Sequence, residues 1–208
     1  MTGTILIADD HPLFRQALSM AAAAVRPDAR IVECANLESA LNEAIAADDL
    51  ILMLLDLKMP GAEGYSGVAL LHAEKPAVPI LVISSADAGQ AAQNAVRFGA
   101  VGFIGKDTGL DAIEQAIADA LAGRRIVAPT DDEIDPVAAQ ITMLTPTQLK
   151  VLLGVMQGRL NKQIAYDLSI SEATVKAHMT AILKKLDVQN RTQAVLVGKA
   201  LGLEPIHH

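Results

Sequence analysis

The stretch TILIADD, residues 4–10, is a short apolar run that ends in two aspartates. Three more apolar runs in the first half of the chain also end in reactive side chains, which are Asp56, Ser84 and Lys106. In a parallel α/β sheet, ligands bind outside the carboxyl ends of the strands. The pattern therefore predicts that three carboxylates, a hydroxyl and an ammonium surround one small hollow.

Carboxylates in such a hollow repel one another, because two unit charges about 4 Å apart cost roughly 4 kcal/mol at an effective dielectric of about 20. Asp9, Asp10 and Asp56 are therefore expected to converge only where a cation neutralises them. A hard divalent ion, which prefers oxygen ligands and keeps some of its waters, fits this need. The sequence thus predicts a site for Mg²⁺ (or Mn²⁺).

The composition bounds the class of protein. The chain has 208 residues, of which 51% are hydrophobic and 2% aromatic, so it can bury a sizeable aliphatic core. Its single cysteine, Cys34, cannot form an internal disulfide and fits a reducing cytosol. No signal peptide is expected, because Asp9 and Asp10 interrupt the N-terminal apolar run. No apolar run approaches the roughly 18 residues of a membrane span, so we expect a cytoplasmic protein with no membrane partner.

The net charge of −7 is divided unevenly along the chain. Residues 1–144 carry 20 acidic and 9 basic side chains, a net charge of −11. Residues 145–208 carry 4 acidic and 8 basic side chains, a net charge of +4. Such asymmetry suggests an acidic module joined to one that meets a polyanion.

Short apolar runs alternate with helical stretches over residues 1–122. Strands are predicted at Thr4–Ala8, Arg30–Cys34, Leu50–Leu55, Ile80–Ile83 and Val101–Ile104. Helices are predicted at Pro12–Ala24, Leu37–Ala47, Ser66–Glu74, Ala88–Phe98 and Leu110–Ala122. Strands that alternate with helices imply βαβ units around a parallel sheet, so these five pairs predict a small doubly wound domain. Residues 123–143, which include an acidic patch followed by Pro136, are predicted to be an exposed linker.

Residues 144–206 are predicted to form an all-α domain of four helices. Thr145 and Gln148 make a capping box around a proline at the first helical position. Asn161, Ser171 and Asn190 are expected to cap the following helices, the longest of which covers residues 172–186. Two short helices joined by a tight turn, with basic residues on the second, predict a helix-turn-helix.

The chemistry predicted for the hollow is self-phosphorylation on Asp56, because carboxylates serve as nucleophiles in phosphoryl transfer. Asp10 and Asp56 are expected to hold the metal directly, and Asp9 through water. Lys106 is assigned to charge stabilisation, and Ser84 to a hydrogen bond with a phosphate oxygen. Each residue taken alone is more often a solvated loop, turn or surface residue, so the joint pattern carries the prediction.

In these positions the chain resembles the receiver domains of two-component response regulators over about residues 4–122. The resemblance implies a flavodoxin-like doubly wound (βα)5 sheet, and a sensor histidine kinase as phosphoryl donor. It implies that the Lys58 backbone carbonyl is another metal ligand. It also implies that Phe103 is a switch residue that follows Ser84 inward on phosphorylation; plain core packing explains Phe103 equally well.

Residues 144–202 are similar to LuxR-type helix-turn-helix domains, most clearly in the segments LTP (144–146), NKQIA (161–165), ISEATVKAH (170–178) and ILKKL (182–186). Together the two halves resemble a NarL/FixJ-type response regulator, whose residue 172–186 helix enters the major groove of double-stranded DNA. The residues assigned to DNA binding are Lys162, Thr174, Lys176, Ala177, His178, Thr180, Lys184 and Arg191. Of these, Lys176, Ala177 and Thr180 are expected to face base edges, and Lys162, Lys184 and Arg191 to lie nearer phosphates. A solvated basic face is the alternative for the lysines.

The sequence therefore predicts a phosphorylation-switched transcriptional regulator rather than an enzyme with a separate substrate. The resemblance implies a homodimer in the phosphorylated state, paired through the last helix with Val195, Gly198 and Leu201 as a seam; packing on their own domain is the alternative for these residues. At rest, the acidic receiver is expected to mask the basic module. Two rival functions are a receiver-like regulator controlled by partner docking alone and a small-substrate phosphotransferase or phosphatase. Lys58 argues against the latter, because dehalogenase-like enzymes place an Asp there.

Overall fold

The computed structural model describes residues 3–61, 64–85, 88–124, 126 and 140–204. Most of the predicted linker, residues 127–139, therefore lies outside the described residues. Within them the chain forms a sheet domain followed by a helical domain, in the order that the sequence predicts.

The sheet domain is built on five parallel strands in the order β2-β1-β3-β4-β5, which is the flavodoxin-like order. The strands are β1 Thr4–Ala8, β2 Arg30–Cys34, β3 Leu50–Leu55, β4 Ile80–Ser84 and β5 Gly102–Gly105. The predicted doubly wound sheet is confirmed. β4 reaches Ser84, and β5 lies one residue later than predicted because Leu81 pairs with Gly102.

Five helices cover the two faces of this sheet. They are α1 Pro12–Val25, α2 Leu37–Ala46, α3 Ser66–Glu74, α4 Ala88–Arg97 and α5 Leu110–Leu121. Alternate strand residues point to opposite faces. Accordingly, Ile5 and Ile7 pack with α1 and α5, whereas Leu6 and Ala8 belong to the core cluster that includes α2 and α3.

Between residues 144 and 204, which the structure describes throughout, the helical domain has four helices, α6 Pro146–Met156, α7 Asn161–Asp167, α8 Glu172–Lys185 and α9 Arg191–Ala200. The capping box of α6 is present, and Ser171 and Asn190 cap α8 and α9 with side-chain oxygens as predicted. The predicted cap at Asn161 is wrong: Leu160 occupies the cap position, and Gln163 Oε1 accepts its backbone N–H instead. The tight turn before α8 places Ser169 at a φ of 54°.

The helical domain docks on α3 of the sheet domain. Ser66 Oγ donates to the Glu204 carbonyl at 2.6 Å and accepts the Glu204 N–H at 3.0 Å. Lys150 of α6 pairs with Glu74 at the end of α3, with 2.9 Å between Nζ and Oε1. A helix that is apolar all round is usually buried. The α3 sequence SGVALLHAE fits this rule, because its first six residues are buried between the sheet and the second domain.

Candidate functional site

The predicted hollow exists at the carboxyl edge of the sheet. Asp10 and Asp56 follow β1 and β3, Ser84 ends β4, and Lys106 follows β5. These strands are neighbours, and backbone bonds keep their ends level: the Asp56 N–H donates to the Ala8 carbonyl at 2.9 Å, and the Lys106 N–H to the Ser84 carbonyl at 3.0 Å. The fold therefore brings residues from four separate strands to one site.

Lys106 links the carboxylates of the hollow. Its Nζ lies 2.7 Å from Oδ2 of Asp9 and 2.7 Å from Oδ2 of Asp56. Burial lowers the pKa of Lys106, but hydrogen bonds to Asp56 and Asp9 and their negative charges outweigh burial, so the pKa is raised. The ammonium is therefore a permanent positive charge at neutral pH.

The hollow retains the capacity to bind a cation. Asp56 is only 2% exposed, yet among the described residues its Oδ1 has no hydrogen-bond partner, and neither has the buried Ser84 Oγ. Asp9, Asp10 and Asp56 bring three negative charges, and Lys106 supplies one positive charge. A divalent cation would neutralise the remaining two charges. The oxygen-rich donor set fits Mg²⁺.

His11 is a member of this cluster that sequence reasoning missed. Ligand atoms of Asp9, Asp10, His11 and Asp56 all lie within 4.8 Å of one another. His11 Nδ1 is 2.7 Å from Asp10 Oδ1 and 3.4 Å from Asp9 Oδ1. The signal that could have revealed it is its position, directly after the aspartate pair and before the proline that starts α1.

Two further predicted residues lie close to the site in sequence or in space. Lys58 lies in the turn that follows Asp56, its side chain is exposed, and the ligand role assigned to its backbone carbonyl stays a prediction. Phe103 is 6% exposed and belongs to the core cluster. This is the packing that the core interpretation predicts, and the switch role assigned to Phe103 stays a prediction.

The residues predicted to bind DNA lie mainly on the outer surface of α7 and α8. Helical spacing places Lys176, Thr180 and Lys184 on one face of α8, and all three are exposed, as are Lys162, Thr174 and Ala177. His178 is half-buried. The opposite face carries Val175 and Ile182, which are fully buried.

Arg191 differs from the other predicted DNA contacts. It is half-buried, and its guanidinium donates to Asn161 Oδ1 at 3.1 Å and to the Arg159 carbonyl. Arg191 thus connects the start of α9 to the start of α7 and the loop before it. A guanidinium has five N–H donors, so others are left to bind a phosphate. Lys185 makes a similar internal tie: its Nζ donates to Gln148 Oε1 at 2.8 Å.

The expected masking of the basic module is wrong for this arrangement. The sheet domain contacts α6 and the residues after α9, and the outer face of α8 stays exposed. The contact falls there because α3 presents an apolar surface and α8 a charged one. In α9, Gly198 is buried, and a Cβ there would lie 2.6 Å from Met156 Sδ. Gly198 therefore packs on its own domain, whereas Leu196 is 61% exposed.

Among the described residues, no helix is long and apolar enough to cross a membrane.

Two family models match the chain. The model described as "Response regulator receiver domain" matches residues 5–118. The model described as "Bacterial regulatory proteins, luxR family" matches residues 142–197. The two matches correspond to the sheet domain and the helical domain.

Curated relatives and solved structures agree with these matches. The chain is 42% identical to the glycerol metabolism activator of Pseudomonas putida, over 92% of this chain and 93% of that protein. It is 33% identical to the nitrate/nitrite response regulator NarL of Escherichia coli K12, over 93% of each. A crystal structure of a LuxR-family two-component response regulator from Aurantimonas shares 28% identity with a TM-score of 0.55, and covers 62% of this chain and 91% of that one.

Proposed function

Because the chain belongs to the two-component response regulators of the NarL/FixJ type, we propose that a phosphoryl group on Asp56 switches its binding to DNA. The relatives regulate transcription, so the protein is a regulator rather than a classical enzyme. We assign residues 1–122 to the receiver, 123–143 to the linker and 144–206 to the DNA-binding domain. The phosphoryl donor is a sensor histidine kinase, and the protein acts in the cytoplasm, where its DNA and a reduced Cys34 belong.

The observation that carries the proposal is the asymmetric environment of Asp56. Lys106 holds Oδ2 at 2.7 Å, while the buried Oδ1 has no hydrogen-bond partner in the part of the chain that the structure describes. One oxygen is thus positioned by the protein, and the carboxylate keeps free electron pairs for a metal ion and for phosphorus. Phosphoryl transfer needs mainly positioning and neutralisation of charge, which this arrangement supports.

Each group of the hollow has a role in this transfer. Asp56 attacks the phosphorus of a phosphohistidine, the P–O bond forms as the P–N bond breaks, and the imidazole leaves with a proton. When bound to Asp10, Asp56 and the Lys58 carbonyl, with Asp9 acting through water, Mg²⁺ supplies positive charge to the transferring oxygens. Lys106 neutralises further charge, and the unpartnered Ser84 Oγ is available to a phosphate oxygen. Phe103 is assigned the accompanying switch movement.

The DNA-binding domain presents α8 to the major groove. Lys176, Ala177 and Thr180 form the part of its exposed face that we assign to base edges. Phosphates are assigned to Lys162, Lys184 and Arg191, with Thr174 and His178 at the margins of the same surface. With a net charge of only +4 on residues 145–208, one copy makes few phosphate contacts. A dimer on a palindrome doubles them, so affinity should fall steeply with salt.

The docked interface suggests how the receiver controls pairing. The bonds from Ser66 and the bridge between Gly64 and Leu203 hold the chain directly after α9. Pairing through α9, where Leu196 is exposed, requires this helix to turn toward a second copy. We therefore place the control on dimerisation through α9 and not on access to α8. Phosphorylation favours dimers to the extent that it weakens the Ser66 contacts.

The direct test is DNA binding with and without a small phosphoryl donor and Mg²⁺, in the wild type and in Asp56→Ala. We expect the donor to increase DNA affinity of the wild type only. Equal affinity in all four conditions would remove the switch and favour control by partner docking. Turnover of free phosphoesters would instead favour the phosphatase alternative.

A second test separates docking from phosphorylation. Ser66→Ala removes two hydrogen bonds between the domains, each worth about 0.5–1.5 kcal/mol, without touching the hollow. We expect this variant to dimerise and bind DNA more tightly before phosphorylation, by roughly 5- to 160-fold, the equivalent of about 1–3 kcal/mol. Ser19→Ala, which removes an exposed bond to Glu33 within the receiver, is the matched control and should change neither property.

A further inference from the structure

An aromatic ring that the proposed switch does not use lies against the ammonium of the hollow. Lys106 Nζ lies over the ring of Phe14, 4.8 Å from the ring centroid. A cation within about 6 Å of the centroid of an aromatic ring is attracted by the electron-rich face of that ring. The Lys106 ammonium therefore has three neighbours, which are the carboxylates of Asp9 and Asp56, each at 2.7 Å, and this ring.

The fold fixes the ring at this place. Pro12 is the first residue of α1, so Phe14 lies in the first turn of the helix, just beyond the loop that carries Asp10. The Phe14 side chain is half-buried and packs against the core cluster that α1 shares with β1, β3, β4 and α5. The next residue, Arg15, donates to the Asp9 carbonyl at 2.6 Å and attaches this turn of α1 to the hollow. Phe14 is thus held beside the ammonium before any ligand binds.

The ring restricts an ammonium that two carboxylates alone would not fix. A lysine ammonium has three N–H donors on a flexible four-carbon stem, so it can turn a donor toward water. The Lys106 side chain is nevertheless only 14% exposed. The ring covers part of the ammonium, and it offers no carbonyl or carboxylate that would draw the ammonium away from Asp56. When a phosphoryl oxygen approaches Asp56, the ammonium can exchange its bond to Asp9 for one to that oxygen while the ring still limits its movement toward solvent.

We propose that Phe14 is a positioning residue for phosphoryl transfer, and that its ring holds the Lys106 ammonium beside Asp56 Oδ2. Phosphoryl transfer depends mainly on the positioning of charged groups, and loss of orientation at one group slows the reaction. The inference rests on the proposed phosphoacceptor role of Asp56, and it adds a residue that has neither a charge nor a hydrogen-bonding group. Ordinary packing on the core is the alternative for Phe14.

The kinetic test uses acetyl phosphate with the full chain, because Asp56 forms a P–O bond to its phosphorus as acetate leaves. Phe14→Leu keeps an apolar side chain but removes the aromatic face. We expect this variant to lower the rate constant at saturating Mg²⁺ and donor about 3- to 10-fold, as loss of a partly buried cation–π contact implies. The Kd of Mg²⁺ should change less than twofold. Phe14→Tyr, which retains the ring, should stay within twofold of the wild type in both quantities.

A spectroscopic readout without any donor separates positioning from packing. The ring current of Phe14 should shift the Lys106 Hε resonances upfield in the wild type and in Phe14→Tyr, and the shift should vanish in Phe14→Leu. Val25→Ala is the matched control, because Val25 packs against the same core cluster from the other end of α1. This variant should lower the urea midpoint and change neither the rate constant nor the Lys106 resonances.

The outcomes that overturn the proposal differ from those that overturn the switch. Equal rate constants for the wild type and Phe14→Leu would show that the ring does not position Lys106. A loss of rate that Phe14→Tyr shares in full, or that Val25→Ala reproduces, would show that Phe14 acts through packing alone. If the wild type accepts no phosphoryl group while the Lys106 resonances still depend on the ring, the proposed function is overturned and the contact between Phe14 and Lys106 stands.

Discussion

Replacing Lys106 with methionine is the sharpest stability test of the hollow. The change removes the ammonium that lies 2.7 Å from both Asp9 and Asp56, whose side chains are 1% exposed. Breaking a buried pair by removing one partner costs about 3–5 kcal/mol, because a buried charge is left uncompensated. We expect Lys106→Met to lower the free energy of unfolding by about 3 kcal/mol in the absence of divalent ions. The value lies at the low end of the range because Asp10 is partly open to water, which screens the cluster.

The loss should depend on Mg²⁺. A ligand that binds only the folded state stabilises it by about 2.7 kcal/mol at 100 times its Kd, and in Lys106→Met the ion no longer competes with the ammonium. Much of the lost stability should therefore return at saturating Mg²⁺. The pKa of Lys106 is raised, so its ammonium contributes fully to the free energy of unfolding at neutral pH. This contribution is lost only as the pH rises above about 10.4.

Tyrosine fluorescence gives a clean assay. The chain has no Trp and two Tyr, one in each domain. In a Tyr166→Phe background, Tyr65, whose ring stacks on Phe98 and whose N–H donates to the Gly202 carbonyl, reports urea unfolding of the receiver together with release of the segment after α9. Lys58→Met, which removes an exposed ammonium near the same site, is the matched control and should cost little. If Lys106→Met lowers the free energy of unfolding by less than about 1 kcal/mol, or if Mg²⁺ does not change the loss, the reasoning that Lys106 neutralises the clustered carboxylates is refuted.

Three further predictions test other parts of the molecule. Burial lowers the pKa of His72, so the free energy of unfolding is highest above about pH 6.5 and falls as the pH drops through the folded pKa. The variant His72→Leu should flatten this part of a plot of urea midpoint against pH. Asn190→Ala removes the cap of α9 and should cost about 1 kcal/mol, measured by Tyr166 fluorescence. Lys162→Ala should weaken binding to all DNA sequences alike and reduce the log–log salt slope by about 1, whereas Lys176→Ala should alter base preference in a selection from random sites.

The sheet was accessible to sequence reasoning because its signals are local. Each apolar run is a strand with a reactive residue at its carboxyl end, so the order of elements alone places Asp56, Ser84 and Lys106 at one edge. The boundaries shifted by a residue where pairing with a neighbour decided them, as at β5. The chemistry of the site was thus predictable, and the distances within it were not.

The helical domain shows the same division. The residue types at the start of α6 and α8 predicted their caps, because a cap depends on neighbours within one turn. The cap predicted for α7 was wrong, because Leu160 and not Asn161 occupies the cap position. The backbone N–H of Leu160 donates to Gln163 Oε1. Asn161 is instead bonded by Arg191, 30 positions away, which no local pattern indicates.

By itself, the sequence determined the two domains, the acidic hollow and the basic helix α8 that is assigned to DNA binding, because strand endings and helical periodicity are properties of neighbouring residues. Only the tertiary structure decided that the His11 ring lies against Asp10 and that the receiver holds the end of α9 rather than covering α8. These facts depend on contacts such as that between Ser66 and Glu204, which are 138 positions apart. Such pairs meet only when whole apolar surfaces pack, and packing of that kind is a property of assembled elements and not of any single segment.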